Sequence, residues 1–114
     1  MHSEATPVDL AHLERYTGGD GALNREVLEL FCGQAQDLIT GLQRADREGD
    51  VQSWRAHAHA LKGGARGIGA FHLGALAAAL EQEGPQGPAV TQGLGDLAAE
   101  MQRVADFVAV YRRA

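Results

Sequence analysis

The chain has little of what would build a sheet, a disulfide scaffold or a membrane span. Aromatic residues make up 5% of its 114 residues and prolines number 3, while alanine and leucine dominate and β-branched residues are few. That balance favours helices over sheet. The single cysteine, Cys32, excludes an intrachain disulfide. It lies in an apolar run and reads as a buried small hydrophobe. No stretch approaches the roughly 20 apolar residues that a membrane helix needs. The opening residues include Glu4, Asp9 and Glu14 and show no signal peptide, so the expected compartment is the cytoplasm. An excess of positive charge is missing as well. The net charge of −5 with His neutral argues against nucleic acid as a partner. A chain of 114 residues suits one domain, spanning 1–114, with one core.

What the chain does have is helical periodicity, four times over. Gly18-Gly19-Asp20 leads into a segment whose apolar positions are Leu28, Phe31, Ala35, Leu38, Leu42 and Ala45, and which ends near Glu48-Gly49-Asp50. A second starts with Asp50 as N-cap and carries Val51, Trp54, Ala58, Leu61, Ala65 and Ile68, with Gly67 and Gly69 at its end. A third carries Leu73, Leu76 and Leu80 and stops at Gly84-Pro85. The last carries Leu94, Leu97, Met101, Val104, Val108 and Tyr111. Narrow apolar seams of this kind predict an all-α fold, an antiparallel four-helix bundle with short loops. A shorter N-terminal helix, with Thr6 as cap and Pro7 at its first position, is expected to pack across one end on Leu10 and Leu13.

The second seam fixes which side of its helix is outward. Residues advance about 100° each around a helix of 3.6 residues per turn. His59 then falls more than about 90° from the centre of the stripe and points to solvent, with Gly63 one turn further on the same side. Arg55, Lys62 and Arg66 flank that side, and His57 falls on the opposite flank. This local cation cluster in an acidic chain suits one small anionic feature rather than a long polyanion. An exposed imidazole titrates near about pH 6.5, so much of it is neutral and nucleophilic close to neutrality. Attack on a phosphoryl group by Nε2 gives a phosphoramidate, whose oxygens Lys62, Arg66 or Arg55 would reach. A glycine in a helix interior costs about 1 kcal/mol relative to alanine. At Gly63 that cost leaves the approach to the ring open, and at Gly64 it serves the same end or eases helix packing.

The run Ala56-His57-Ala58-His59-Ala60-Leu61-Lys62-Gly63-Gly64-Ala65-Arg66-Gly67-Ile68-Gly69-Ala70 resembles the signature of histidine-containing phosphotransfer (HPt) domains of multistep phosphorelays. The matching residues are His59, Leu61, Lys62, Gly63, Gly69 and Ala70, and the likeness extends to Phe31, Gly49-Asp50, Leu73 and Leu80-Glu81. The resemblance implies that His59 is the phosphoacceptor, that Lys62 steadies the phosphoryl group and that Gly63 opens access. It implies two partners, the receiver domain of a hybrid histidine kinase and that of a response regulator. Mg²⁺ and most of the catalytic machinery would belong to the receiver, with no cofactor or metal on this chain. The domain would thus be a relay intermediate rather than an enzyme in the full sense, and a monomer. Docking would draw on Arg55, Ala60 and Arg66 of the histidine helix and on Gln34 and Leu38 of the helix before it.

Three other readings compete, one of them a four-helix protein whose match to the motif is due to chance. A helical adaptor, a pseudo-HPt, would dock receivers without transfer. A zinc site would use His57, His59 and His72, but His57 and His59 stand about 200° apart on one helix, and ligand pairs on a helix prefer a spacing of three or four.

Overall fold

The structure, a computed structural model, is described over residues 6–113; Glu4 lies outside that range. It contains α1 (Leu10–Thr17), α2 (Gly21–Glu48), α3 (Val51–Gly67), α4 (Phe71–Glu83) and α5 (Val90–Arg113), and no strand among the described residues. Aspartates start the first three. The carboxylates of Asp9, Asp20 and Asp50 accept from the backbone N–H of His12, Leu23 and Ser53 at 3.2, 3.1 and 3.1 Å. Each satisfies one of the amides that a helix start leaves without a partner. At its 28 residues α2 should be about 42 Å long at 1.5 Å per residue, which is the long dimension of the molecule, 42 Å.

Helices α2 to α5 pack in a closed ring, α2 against α3 and α5, and α4 against α3 and α5, while α1 meets α2. Paired contacts give the directions. Phe31 and Gly41 of α2 meet Gly64 and His57 of α3, Gly74 of α4 meets Arg66, and Gly93 of α5 meets Leu80. Asn24 of α2 donates to the Tyr111 hydroxyl of α5 at 3.0 Å. In each pair the later residue on one helix faces the earlier one on the next, so neighbours run antiparallel. The core inside the ring includes Leu28, Ala35, Leu42, Trp54, Ala58, Leu61, Leu73, Ala77, Leu97 and Val104, all 1% exposed or less. The Trp54 indole N–H donates to the carbonyl of Leu80 at 2.8 Å, which pins the end of α4 to the start of α3. One carboxylate enters this interior. Glu100 is 4% exposed, and Arg103 donates to its Oε1 at 2.8 Å.

The turn between α3 and α4 depends on one glycine. Gly69 has φ of 86°, and a Cβ there would stand 2.5 Å from the carbonyl oxygen of Asp9. The Asp9 N–H donates to the Gly69 carbonyl at 2.9 Å. A side chain at this position would meet both the left-handed backbone and the collision.

Three expectations from the sequence are corrected in detail. The first helix starts at Leu10, capped by Asp9, and not at Pro7 capped by Thr6. Residues before it are held instead by the Asp9–Gly69 bond and by Val8, which is fully buried. In α2 the fourth seam position is Ile39, 6% exposed, with Leu38 only partly buried beside it. Val51, placed on the apolar stripe of α3, is 55% exposed. It is the first residue of its helix and lines a surface depression with Arg55 and His59.

Candidate functional site

Seventeen residues make up α3, and its two flanks meet different neighbours. On one flank His57 Nδ1 donates to the Ser53 carbonyl at 2.6 Å and its ring lies against the Cα of Gly41, where any side chain would collide. A Cβ on Gly64 would stand 3.2 Å from Phe31 Cε1. Both residues therefore serve the contact with α2, which gives His57 a packing role and resolves Gly64 as a packing glycine. On the other flank lies α4. A Cβ on Gly74 would come 3.2 Å from Arg66 Cγ and 3.5 Å from the Lys62 carbonyl, so the two backbones approach closely there.

Between these flanks His59 faces solvent, its side chain 69% exposed. Its Nδ1 stands 3.2 Å from Glu81 Oε2, and Lys62 Nζ donates to Glu81 Oε1 at 2.8 Å. Glu81 is 15% exposed and Lys62 21%, so the lysine–carboxylate pair forms a half-covered base beneath an exposed ring. The hydrogen bond from Lys62, ahead of its charge and of the bond from His59, holds the Glu81 carboxyl below the usual carboxylate range against the opposing effect of burial. Glu81 is thus ionised near neutral pH, and an ionised carboxylate can only accept. The proton on the His59 ring must then sit on Nδ1, which leaves Nε2 with its lone pair turned to solvent.

The position of Glu81 follows from the hairpin. Mirrored about Ala70 in the turn, Arg66 faces Gly74, and His59 faces Glu81, eleven residues away on either side. The likeness noted above extended to Glu81 without giving it a role. The signal that would have found it is this register, which needs the turn centre as well as the periodicity.

Around the ring the expected residues divide. A Cβ on Gly63 would meet nothing within 4 Å. Arg55, Ala60 and His59 line one depression of about 600 Å³ together with Val51, Gln52, Ala56 and Glu81. Arg66 is exposed on the α4 side, and it and Arg55 have no ion pair among the described residues. Gln34 and Leu38 of α2, exposed and partly buried respectively, do not line the depression. They belong to the helix that packs on the His57 flank. The histidines among the described residues do not converge on a metal site either. His57 turns to α2 and His59 to α4, and no group of three His, Cys, Asp or Glu side chains among the described residues is placed to hold a metal ion. Cys32 is partly buried, and burial, ahead of the nearby charge of Glu29, pushes its thiol up.

Comparison with known proteins adds two findings. The family model of the Hpt domain matches residues 26–107. Among solved structures, the crystal structure of histidine-containing phosphotransfer protein B (HptB) from Pseudomonas aeruginosa PAO1 superposes with a TM-score of 0.84 at 22% identity, over 96% of this chain and 98% of that one. No curated protein sequence matches.

Proposed function

The chain belongs to the Hpt domain family, and from that premise we propose that it relays phosphoryl groups between receiver domains, with His59 as the carrier. The fold reading that goes with this is an antiparallel four-helix bundle, α2 to α5, with α1 across one end. The observation that carries the proposal is the His59–Glu81–Lys62 arrangement: an exposed ring held by Nδ1, with Nε2 free.

In the forward step the Nε2 lone pair attacks the phosphorus of an aspartyl phosphate on a receiver domain. The N–P bond forms, the P–O bond to the aspartate breaks, and the carboxylate leaves with its electron pair. The ring keeps its Nδ1 proton and becomes cationic, and Glu81, bonded to that proton, offsets the charge. Onward transfer to a second receiver runs the same step in reverse. Mg²⁺ is assigned to the receiver. In the free protein Lys62 is engaged by Glu81, so its first task is to keep that carboxylate ionised and aimed. Arg55 and Arg66, which have no ion pair among the described residues, are the cations available to the phosphoryl oxygens together with Lys62. Gly63 leaves the approach clear. The reading places the protein in the cytoplasm as a monomer, and no helix among the described residues is long and apolar enough to cross a membrane.

The test is incubation with phosphorylated receiver domains of the source organism. An acid-labile, base-stable label should appear on this protein and be absent from His59→Gln. Label retained by His59→Gln defeats the assignment, and tight receiver binding without any transfer by the unaltered protein would favour the adaptor reading.

A further inference from the structure

Glu81 acts on His59 from an end of α4 that the helix alone does not hold well. The helix runs to Glu83, so Glu81 lies in its last turn, and that turn carries no basic residue. Carboxylates near a helix C-terminus oppose the negative end of its dipole, and Glu81 and Glu83 both stand there. The last carbonyls of a helix also lack partners within it, and such ends fray. The separation of His59 Nδ1 from Glu81 Oε2, 3.2 Å, is already at the long limit of a hydrogen bond, and a shift of about 0.4 Å would break it. Lys62 does not set the position by itself, because its flexible stem follows the carboxylate it holds.

One buried group meets this end of the helix. Trp54 is 1% exposed, and its indole N–H donates to the Leu80 carbonyl at 2.8 Å. The same carbonyl accepts from the Gly84 N–H at 3.1 Å, so the helix bond is complete without the indole. The indole bond is additional. It ties the residue next to Glu81 to α3, at a point five positions before His59 on that helix. It also sets a donor against the negative end of α4. We propose that Trp54 is a positioning residue for the transfer step, holding the last turn of α4 where Glu81 reaches Nδ1 of His59. This rests on the phosphotransfer reading and goes beyond it by giving a buried aromatic of the core a part in the chemistry at the surface.

The experiment uses Trp54→Phe, which keeps an aromatic ring, removes the donor and leaves the Leu80 carbonyl its bond from Gly84. Circular dichroism checks the fold. In ¹⁵N NMR of the unphosphorylated protein at neutral pH, His59 should pass from Nδ1–H alone to a mixture of tautomers. Transfer from a phosphorylated receiver domain should show kcat lowered about threefold with KM unchanged, because a residue 1% exposed meets no partner. In a Glu81→Gln background Trp54→Phe should add no further loss, since it acts through Glu81. A folded Trp54→Phe with an unchanged tautomer overturns the proposal, and so do losses that add up in the double variant. Trp54 is the only tryptophan, so a measurement without any substitution applies as well. Its indole proton should be protected from exchange with solvent, and exchange at the rate of an exposed indole overturns the proposal. If the unaltered protein takes no label from any receiver, the phosphotransfer reading fails, while the tautomer and exchange results still decide whether Trp54 positions Glu81.

Discussion

At the residue scale the site turns on a single hydrogen bond. Glu81 selects which nitrogen of His59 carries the proton, and Lys62 keeps Glu81 in the state that can do so. Glu81→Gln keeps the size of the side chain but loses its charge, and its amide can present either a donor or an acceptor to the ring. The ring nitrogens should then show a mixture of tautomers by ¹⁵N NMR, where the unaltered protein shows Nδ1–H. Transfer should slow roughly tenfold, in keeping with loss of one charge-assisted hydrogen bond. An unchanged tautomer in Glu81→Gln would mean that something other than Glu81 sets it. The two adjacent glycines make a second residue-scale prediction. Gly63→Ala adds a methyl in open space and should raise stability in denaturant by up to about 1 kcal/mol. Gly64→Ala puts its methyl 3.2 Å from Phe31 Cε1 and should forfeit that gain. Equal gains in the two variants would refute the division of labour between access and packing.

At the element scale α3 is the helix that matters, and its start and its neighbours fix where His59 points. Asp50 begins it, with a carboxyl held below the usual range first by the backbone N–H of Ser53 and then by the Ser53 hydroxyl. A carboxyl lowered in the folded state stabilises the fold at pH values above its unfolded pKa, and the contribution fades as pH falls through the lower folded value. Asp50 and Glu81 are both of this kind, so the protein should lose stability on acidification below the ordinary carboxylate range of about 3.9–4.3. Asp50→Asn keeps an N-cap and removes the titration. Thermal unfolding followed from pH 7 downward should show a shallower acid slope in that variant, and an identical slope would remove Asp50 from the account.

The periodicity of α3 told which face is outward because a single helix obeys it alone. The start of α1 was not legible in the same way. Thr6-Pro7 is a good local start, but the backbone bond from Asp9 to Gly69 and the burial of Val8 hold the preceding residues out of the helix. The bond depends on a partner sixty residues along the chain, Gly69. Leu38 lost its seam position to Ile39 for a similar reason, since the direction of the α2 seam is set by the two helices it lies between.

At the scale of the whole molecule, the ring of helices brings two parts of the sequence to one surface: His59, Lys62 and the open ground at Gly63 from α3, and Glu81 from the end of α4. The first two and the glycine are close in sequence and could be read together. Glu81 could not be given a role until the turn about Ala70 set the register and Trp54 tied the Leu80 carbonyl to the start of α3. The central claim, that His59 carries a phosphoryl group on Nε2, is tested most directly by NMR of ¹⁵N-histidine-labelled protein after phosphorylation by a receiver domain. The account predicts one phosphoramidate ³¹P resonance, coupled to Nε2 of His59, with Nδ1 still protonated. A resonance coupled to Nδ1, or assigned to any other residue, would contradict it.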